Sequence, residues 1–555
     1  MRASTRHPRG FRSLSNATMK PLLPRPVRAL CVIAICTLAA ACGGGGGSTP
    51  VGSCFYTYPP GLPPLLTGAD PLLAEQWHLD NTGQTGGLPG EDLRAFGAWI
   101  LQPARGQDVR IAIVDDAIET VHEDLAPNVA DWFDYRAGAA AGSAPLPCEQ
   151  DDDHGTKVAG IVLARDANAV GGAGVAPRAR LGAYNPLSTN TNADIADALT
   201  RDSAITGAYN NSWGSPDNGL LQAADASFVT TIRNGIANGR SGRGSVYVFP
   251  AGNGGCFMVD PVSRSCVYDE NSNFDGYVNQ LGVIPVCAVD DRGLAPRYAE
   301  PGANILVCGP SGSEGRAPIA TTAPLSSYGE ISGTSASTPM VTGVVALMLR
   351  ENPQLTWRDV RLILAYSARK NDAADAGWTS NFGLNHSPKY GFGVADAEQA
   401  VLLARSWPSV GGSATLESCS YQRGPGAPFP LAVTDNDSNG RLDEVDASAC
   451  PINRIEFIEV DFTAVHPFSG DLRVELTSPS GLVSLLANER LCDADADGSA
   501  DDCGTYSGWT FGSTRHLDES PRGPGSGNWR LTVSDRIAGD EGQWISWNLR
   551  LWGRR

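Results

Sequence analysis

From about position 70 to 405, short apolar runs alternate with stretches of helical spacing, which is the pattern of a parallel sheet covered by helices. Residues 110–114, 180–184 and 245–250 read as strands, and residues 341–349 as an apolar helix entered through small side chains. Pro408 and the Gly411-Gly412 pair then mark a change of pattern. Beyond them, residues 455–462, 472–476, 529–533 and 547–552 alternate apolar and polar positions between Gly, Pro, Asn and Asp. A period of two over about 145 residues predicts an all-β sandwich or jelly roll. The expected architecture is therefore an α/β domain over 70–405, a parallel sheet with helices on both faces, followed by a β domain over 410–555.

The amino terminus has a different character. Residues 1–41 hold seven Lys or Arg and no carboxylate, and positions 29–41 are small or branched apolar residues. That predicts a secretory signal peptide over 1–41, begun at Met1 or Met19. The run is too short for a permanent span, which needs ~18 residues. Ala39-Ala40-Ala41-Cys42 followed by five glycines resembles the lipobox and tether of bacterial lipoproteins. Cys42 would carry the lipid, with residues 42–69 as a linker rich in Gly and Pro, and the membrane would be reached through that anchor alone. The expected location is the cell envelope, at the outer membrane since Gly43 is not acidic, or the medium after secretion.

Charge narrows the partners. The formal net charge is −18, and near −25 without the basic leader, so a phosphate backbone is repelled while metal cations and basic peptides are attracted. Nucleic acid is excluded as a partner. Setting aside Cys31, Cys36 and Cys42 leaves ten of thirteen cysteines, an even number suited to an oxidising compartment. Connectivity is not given by sequence; near pairs Cys256/Cys266, Cys287/Cys308, Cys419/Cys450 and Cys492/Cys503 would leave Cys54 for Cys148. Zinc is disfavoured because there is no Cys-x-x-Cys pair.

Three motifs carry the chemistry. The strand 110–114 runs into Asp115-Asp116, so a carboxylate stands at the carboxyl end of a sheet strand, where α/β sheets bind ligands. His154-Gly155-Thr156 opens a helix, and Gly333-Thr334-Ser335-Ala336-Ser337 precedes another, whose positive end would lie near the Ser335 hydroxyl. A hydroxyl is a poor nucleophile until an imidazole takes its proton, and a buried carboxylate must hold that imidazole in the right tautomer. Ser335 is thus the candidate nucleophile, His154 the base and Asp115 its orienting partner. A fourth segment, residues 251–255, offers Asn253 as an oxyanion donor, with ~3–4 kcal/mol expected from one such contact.

With these motifs in the order Asp, His, Ser, the chain resembles the subtilisin-like serine peptidases, and within them the kexin and furin branch. Asp115-Asp116, Asn211-Ser212-Trp213-Gly214 and Asp275-Gly276-Tyr277 carry the likeness in the first domain. Gly470-Asp471-Leu472, residues 478–481, Gly527-Asn528-Trp529 and Trp547 look like the P-domain of that branch. The resemblance implies a calcium-dependent endopeptidase cutting after basic, dibasic, residues. It puts Trp213 and Gly214 along the substrate groove, Asp217 and Asp275 in the primary pocket, and Asp116 with Asp151 in the next. It also implies one calcium site at Asp70, Asp124 and Asn168, and a second at Asp217, Glu270 and Glu300. Independently of any family, Asp435, Asp437, Asn439, Gly440, Asp443 and Asp446 follow EF-hand spacing, with a weaker copy at residues 493–501. About 28 residues between Cys42 and the first domain are too few for a folded prodomain, so either a separate folding chaperone assists maturation or none is needed. The rival function is a lipid-tethered adhesion module on a degenerate protease scaffold, which would need none of the four catalytic side chains.

Overall fold

Seven strands form one parallel sheet because each crossover returns the chain to the same end of the sheet before the next strand begins. They are β1 (Arg110–Val114), β2 (Val129–Phe133), β3 (Arg180–Tyr184), β4 (Thr206–Asn211), β5 (Val246–Pro250), β6 (Val283–Val289) and β7 (Val307–Pro310). Their order is β2-β3-β1-β4-β5-β6-β7, every pair parallel. The chain passes from β1 to the edge strand β2, comes inward to β3 between them, crosses to β4 on the other side of β1, and runs outward from there. Strand order reverses at β1, which opens a crevice at the carboxyl ends of β1 and β4. Val114 pairs with Asn211, so Asp115 and Ser212 leave the sheet side by side.

The computed structural model describes residues 54–58, 61–64, 66–256, 258–259, 266–268, 270–426, 428–492, 503–524 and 527–555. The expected signal peptide, Cys42 and the acidic copy at 493–501 lie outside the described residues. No helix among the described residues is long and apolar enough to cross a membrane.

Helices flank the sheet: α1 (Ala95–Leu101), α2 (His154–Leu163), α3 (Asn192–Ala198), α4 (Ala226–Gly242), α5 (Thr334–Glu351), α6 (Trp357–Ser367) and α7 (Ala397–Arg405). α2 and α5 pack on each other, with α5 across β4 to β7, while α3 and α4 form another pair. Every residue of α5 from Ala336 to Leu349 is buried, as expected of a helix apolar on all faces. The strand β4, Thr-Gly-Ala-Tyr-Asn-Asn, is just as buried despite its polarity, because most of its side-chain amide atoms are bonded, Asn211 Oδ1 being the exception. Asn210 Oδ1 accepts from Thr342 Oγ1 at 2.8 Å and Asn211 Nδ2 donates to the Tyr209 carbonyl at 3.2 Å.

The carboxyl-terminal part is a sandwich of two antiparallel sheets. One joins Glu417–Arg423, Leu431–Val433, Gly542–Arg554, Arg454–Val465 and Tyr506–Ser513; the other joins Arg441–Asp446, Asn528–Asp535, Leu472–Thr477 and Val483–Ala487. Trp529, Trp544 and Trp547 are fully buried between them. The sandwich is fastened to the first domain within one compact unit from Cys54 to Arg555. Buried Arg358 of α6 makes a two-pronged pair with Glu456, at 2.8 and 2.6 Å. Asn273 exchanges two hydrogen bonds with the Gly512 backbone, at 3.1 and 2.8 Å. Disulfides join Cys54 to Cys148, Cys287 to Cys308, Cys419 to Cys450 and Cys492 to Cys503. The remaining expected pair involves the Cys266 side chain, outside the described residues.

Candidate active site

Asp115 follows β1 and is fully buried; its Oδ1 lies 2.7 Å from His154 Nδ1 and also accepts from the Asp116 amide. Burial alone would lower the His154 pKa, but the Asp115 carboxylate, backed by Asp116 and Asp153, overrides it and brings the imidazole up to about 9. The His154 ring is held at the first turn of α2 by a carboxylate from another element. Asp153 at the N-cap makes no side-chain cap bond. Instead Asp116 accepts from the amides of His154, at 3.1 Å, and Gly155, at 2.6 Å. Asp116, expected in the second subsite, thus already anchors the histidine helix. Burial and the adjacent Asp115 push its carboxyl up to about 7.

Ser335 sits in the first turn of α5 behind Gly333, whose φ of +92° suits glycine alone. Its Oγ donates to the Ser212 carbonyl at 3.0 Å, and Ser212 Oγ returns a bond to the Ser335 carbonyl at 3.0 Å. The expectation of a continuous hydrogen-bonded chain from Asp115 through His154 to Ser335 is therefore corrected: among the described residues the first link is formed and the second is not. A hydroxyl has one proton, and here the Ser212 carbonyl takes it. Sequence reasoning missed Ser212 as this partner because a backbone carbonyl carries no side-chain signal. Its place in Asn211-Ser212-Trp213-Gly214 was the available clue.

Asn253 Oδ1 accepts from Thr334 N and Thr334 Oγ1, both at 2.9 Å. Those two donors fix the amide orientation and turn Nδ2, the donor end, away from Thr334. Thr334 was not singled out from sequence, though it is adjacent to the candidate nucleophile.

Asp275, expected in the primary pocket, is fixed by its neighbours. It accepts from Ser215 N (3.1 Å), Ser215 Oγ (3.0 Å) and Tyr277 N (2.7 Å), and burial raises its carboxyl to about 6. Gly214 leaves room for it, since a Cβ there would come within 2.7 Å of Asp275 Oδ2. Trp213, expected along the groove, is fixed by its contacts: Nε1 donates to the Val114 carbonyl at 2.9 Å, and its ring meets Phe249 and Tyr277 edge-on. Asp151 is exposed three residues before His154.

Asp217, Glu270 and Glu300 each bring one oxygen within 4.8 Å of the others. Glu270 Oε2 is buried without a hydrogen-bond partner. Burial and the neighbouring Asp217 push Glu270 to about 8, and burial with Glu270 and Asp217 raises Glu300 well above the carboxylate range. The donor set is all oxygen and crowded, which fits a hard divalent cation. Gly252 and Gly254 admit these carboxylates under the Asn253 loop: added Cβ atoms would meet Glu300 Oε1 at 2.1 Å and Glu270 Oε2 at 2.4 Å. A second group also meets. Asn168 Nδ2 bonds Asp124 Oδ1 at 2.8 Å while Asp70 takes the Ala167 and Asn168 amides, and burial raises Asp124 to about 7.

The EF-hand reading is overturned. Asp437 accepts from the Asn439 amide and Asp435 from Gly539, but the chain then enters a strand at Arg441 instead of wrapping onward. Asp443 turns inward to a two-pronged bond with Arg423 and to Trp547 Nε1, all at 2.8 Å, and Asp446 accepts from Ser448 N at the strand's far end. A carboxylate neutralised by a guanidinium is no ligand.

The subtilase family profile matches residues 106–391, and the proprotein convertase P-domain profile matches residues 455–551. A dibasic-processing endoprotease of Schizosaccharomyces pombe is 34% identical over 500 residues, covering 87% of this chain and 65% of that protein. Proprotein convertase subtilisin/kexin type 7 of Homo sapiens is 31% identical over 503 residues, covering 87% and 60%. The chain thus spans about three-fifths of the length of these relatives. The solved serine protease of Aeromonas sobria is similar with a TM-score of 0.75 at 27% identity, covering 88% of this chain and 96% of that one. That protease in complex with a chaperone gives 0.73 at 26%. The chain belongs to the subtilase family and carries, behind its peptidase domain, the P-domain of the proprotein convertases.

Proposed function

We propose that the protein is a calcium-dependent serine endopeptidase that cuts after basic residues, with preference for a basic pair. Ser335 Oγ turns from the Ser212 carbonyl to His154 Nε2, gives up its proton and attacks the scissile carbonyl. His154 returns that proton to the leaving amine, and water then cleaves the acyl-enzyme by the same relay in reverse. Asp115 keeps the imidazole in the productive tautomer. Asn253 Nδ2 and the amino end of α5 receive the oxyanion. The observation that carries this reading is the 2.7 Å contact of Asp115 with His154, standing in the same crevice as Ser335 and a correctly turned Asn253 amide.

Asp275 supports the basic preference: a buried carboxylate with only neutral donors around it gains most from a guanidinium. Asp151 offers charge to the residue before it. Calcium would be held by Asp217, Glu270 and Glu300, and at a second place by Asp70, Asp124 and Asn168. The ion supplies positive charge that lets the crowded carboxylates ionise, and so fixes the Asn253 loop and the pocket floor. Disulfides support a location outside the reducing cytoplasm, as the expected signal peptide does; attachment through Cys42 remains part of the reading. The Aeromonas complex supports a folding chaperone as partner.

A peptide-library digest tests the whole reading. Cleavage after Arg, enriched in Lys or Arg at the preceding position and lost on chelation, is expected. Cleavage after Phe or Leu would refute it.

A further inference from the structure

The loop over residues 144–153 leads straight into His154 and carries three consecutive carboxylates whose commitments differ. Asp152 Oδ2 accepts from the amides of Cys148 and Glu149, at 2.9 and 3.0 Å, and Asp153 pairs with Lys157 at 2.5 Å. Asp151 is exposed and has no hydrogen bond or ion pair among the described residues. It is the one carboxylate of the run left for a ligand.

Against this loop lies a segment from ahead of the peptidase domain. Three ties bind residues 54–56 to it: the Cys54–Cys148 disulfide, Phe55 N donating to the Cys148 carbonyl at 2.8 Å, and the Tyr56 hydroxyl donating to the Gln150 carbonyl at 2.9 Å. The tyrosine oxygen is therefore fastened one residue from Asp151. Phe55 stands edge-on to Tyr56 with ring centroids 5.0 Å apart and is 62% exposed. Burial, and then the charges of Asp153, Asp152, Asp151 and Asp116, raise the Tyr56 pKa. A free carboxylate on a loop that carries an exposed ring, Phe55, and a half-buried one, Tyr56, is a place for an organic cation: the charge is met by the carboxylate and the flat guanidinium or the ammonium by a ring face.

We propose that residues 54–58, stapled by the Cys54–Cys148 disulfide, form the outer wall of the subsite for the second basic residue, and that Tyr56 sets its preference for a cation there. The inference rests on the endopeptidase reading and deepens it. Asp116, which holds the amides of His154 and Gly155, would share the cation with this wall in place of meeting it alone. Tyr56 is a specificity-determining residue in this account, and the disulfide a positioning element.

The test compares kcat/KM of the full chain on fluorogenic Lys-Arg and Ala-Arg peptides, and reads their ratio, which is independent of how much enzyme has folded. Tyr56→Ala is expected to lower the Lys-Arg value about 5- to 10-fold through KM, with the Ala-Arg value within about two-fold of wild type. Tyr56→Phe keeps the ring and should retain the ratio. The double variant Cys54→Ser, Cys148→Ser should lose the ratio as Tyr56→Ala does. An unchanged ratio in Tyr56→Ala, with wild type still preferring Lys-Arg, overturns the role of the strap alone and leaves the endopeptidase reading standing. A wild type with no preference for Lys-Arg overturns both.

Discussion

The buried Asp115 carboxylate meets His154 at Nδ1, 2.7 Å away, so the imidazole is charged more readily in the folded protein than in water. Its pKa, raised from 6.5 to about 9, has two consequences. The free enzyme gains its base only as pH climbs, so kcat/KM should rise into the alkaline range with a limb near 9. Asp115→Asn should cut kcat about ten-thousand-fold and move the limb of the residual activity downward. The same shift stabilises the fold below about 6.5, and that contribution is lost as pH rises through about 9.

Asn253 is turned by Thr334, not by substrate, so the oxyanion donor is set before the reaction begins. Asn253→Ala should lower kcat roughly 100- to 1,000-fold with little change in KM. Thr334→Val, which removes one of the two donors to Asn253 Oδ1, should lower kcat less. A KM effect in place of a kcat effect would show that Asn253 binds ground-state substrate.

The carboxylates Asp217, Glu270 and Glu300 oppose folding once they ionise without a counter-ion. Glu270 goes from 4.5 unfolded to about 8 folded, so stability is full below about 4.5 and lost as pH rises through about 8. In chelator, Tm should fall steadily between roughly pH 5 and 8; with calcium present this fall should largely disappear. Calorimetric scans across that range, with and without the ion, check it.

Gly214 stands 2.7 Å, through the Cβ it lacks, from Oδ2 of Asp275, whose carboxylate three donors hold in place, Ser215 N at Oδ2 and Ser215 Oγ and Tyr277 N at Oδ1. Gly214→Ala should displace that carboxylate and selectively weaken cleavage after Arg, raising KM for Arg peptides about 10-fold or more while leaving Tm within a few degrees. Equal losses on Arg and on neutral peptides would contradict the pocket assignment.

Much of this was legible in the sequence where burial and chemistry agree. The strand at 110–114 and the one at 180–184 were readable because parallel strands buried on both faces are apolar throughout. β4 escaped because its Tyr-Asn-Asn end is polar and is tolerated only through bonds to Thr342 and to neighbouring backbone. Asp115, His154 and Asn253 could be picked by type and place and Asp275 through the family resemblance, whereas Ser212 acts through a carbonyl and Asp116 through backbone amides of another element. The acidic run at 435–446 shows the limit of spacing: strand pairing of Asp443 with Leu531, and the nearby Arg423, turn the carboxylate inward. Tyr56 was invisible for the opposite reason, since only the Cys54–Cys148 staple brings it to the acidic loop.

The central claim is that Ser335 is the nucleophile and His154 its base. Reaction with a fluorophosphonate, read by peptide mass spectrometry, tests it most directly. The account expects a single adduct on Ser335 in wild type, at a rate that falls steeply in His154→Ala, and no hydrolysis of a Lys-Arg peptide by Ser335→Ala. An adduct on another residue, or undiminished hydrolysis by Ser335→Ala, would contradict it.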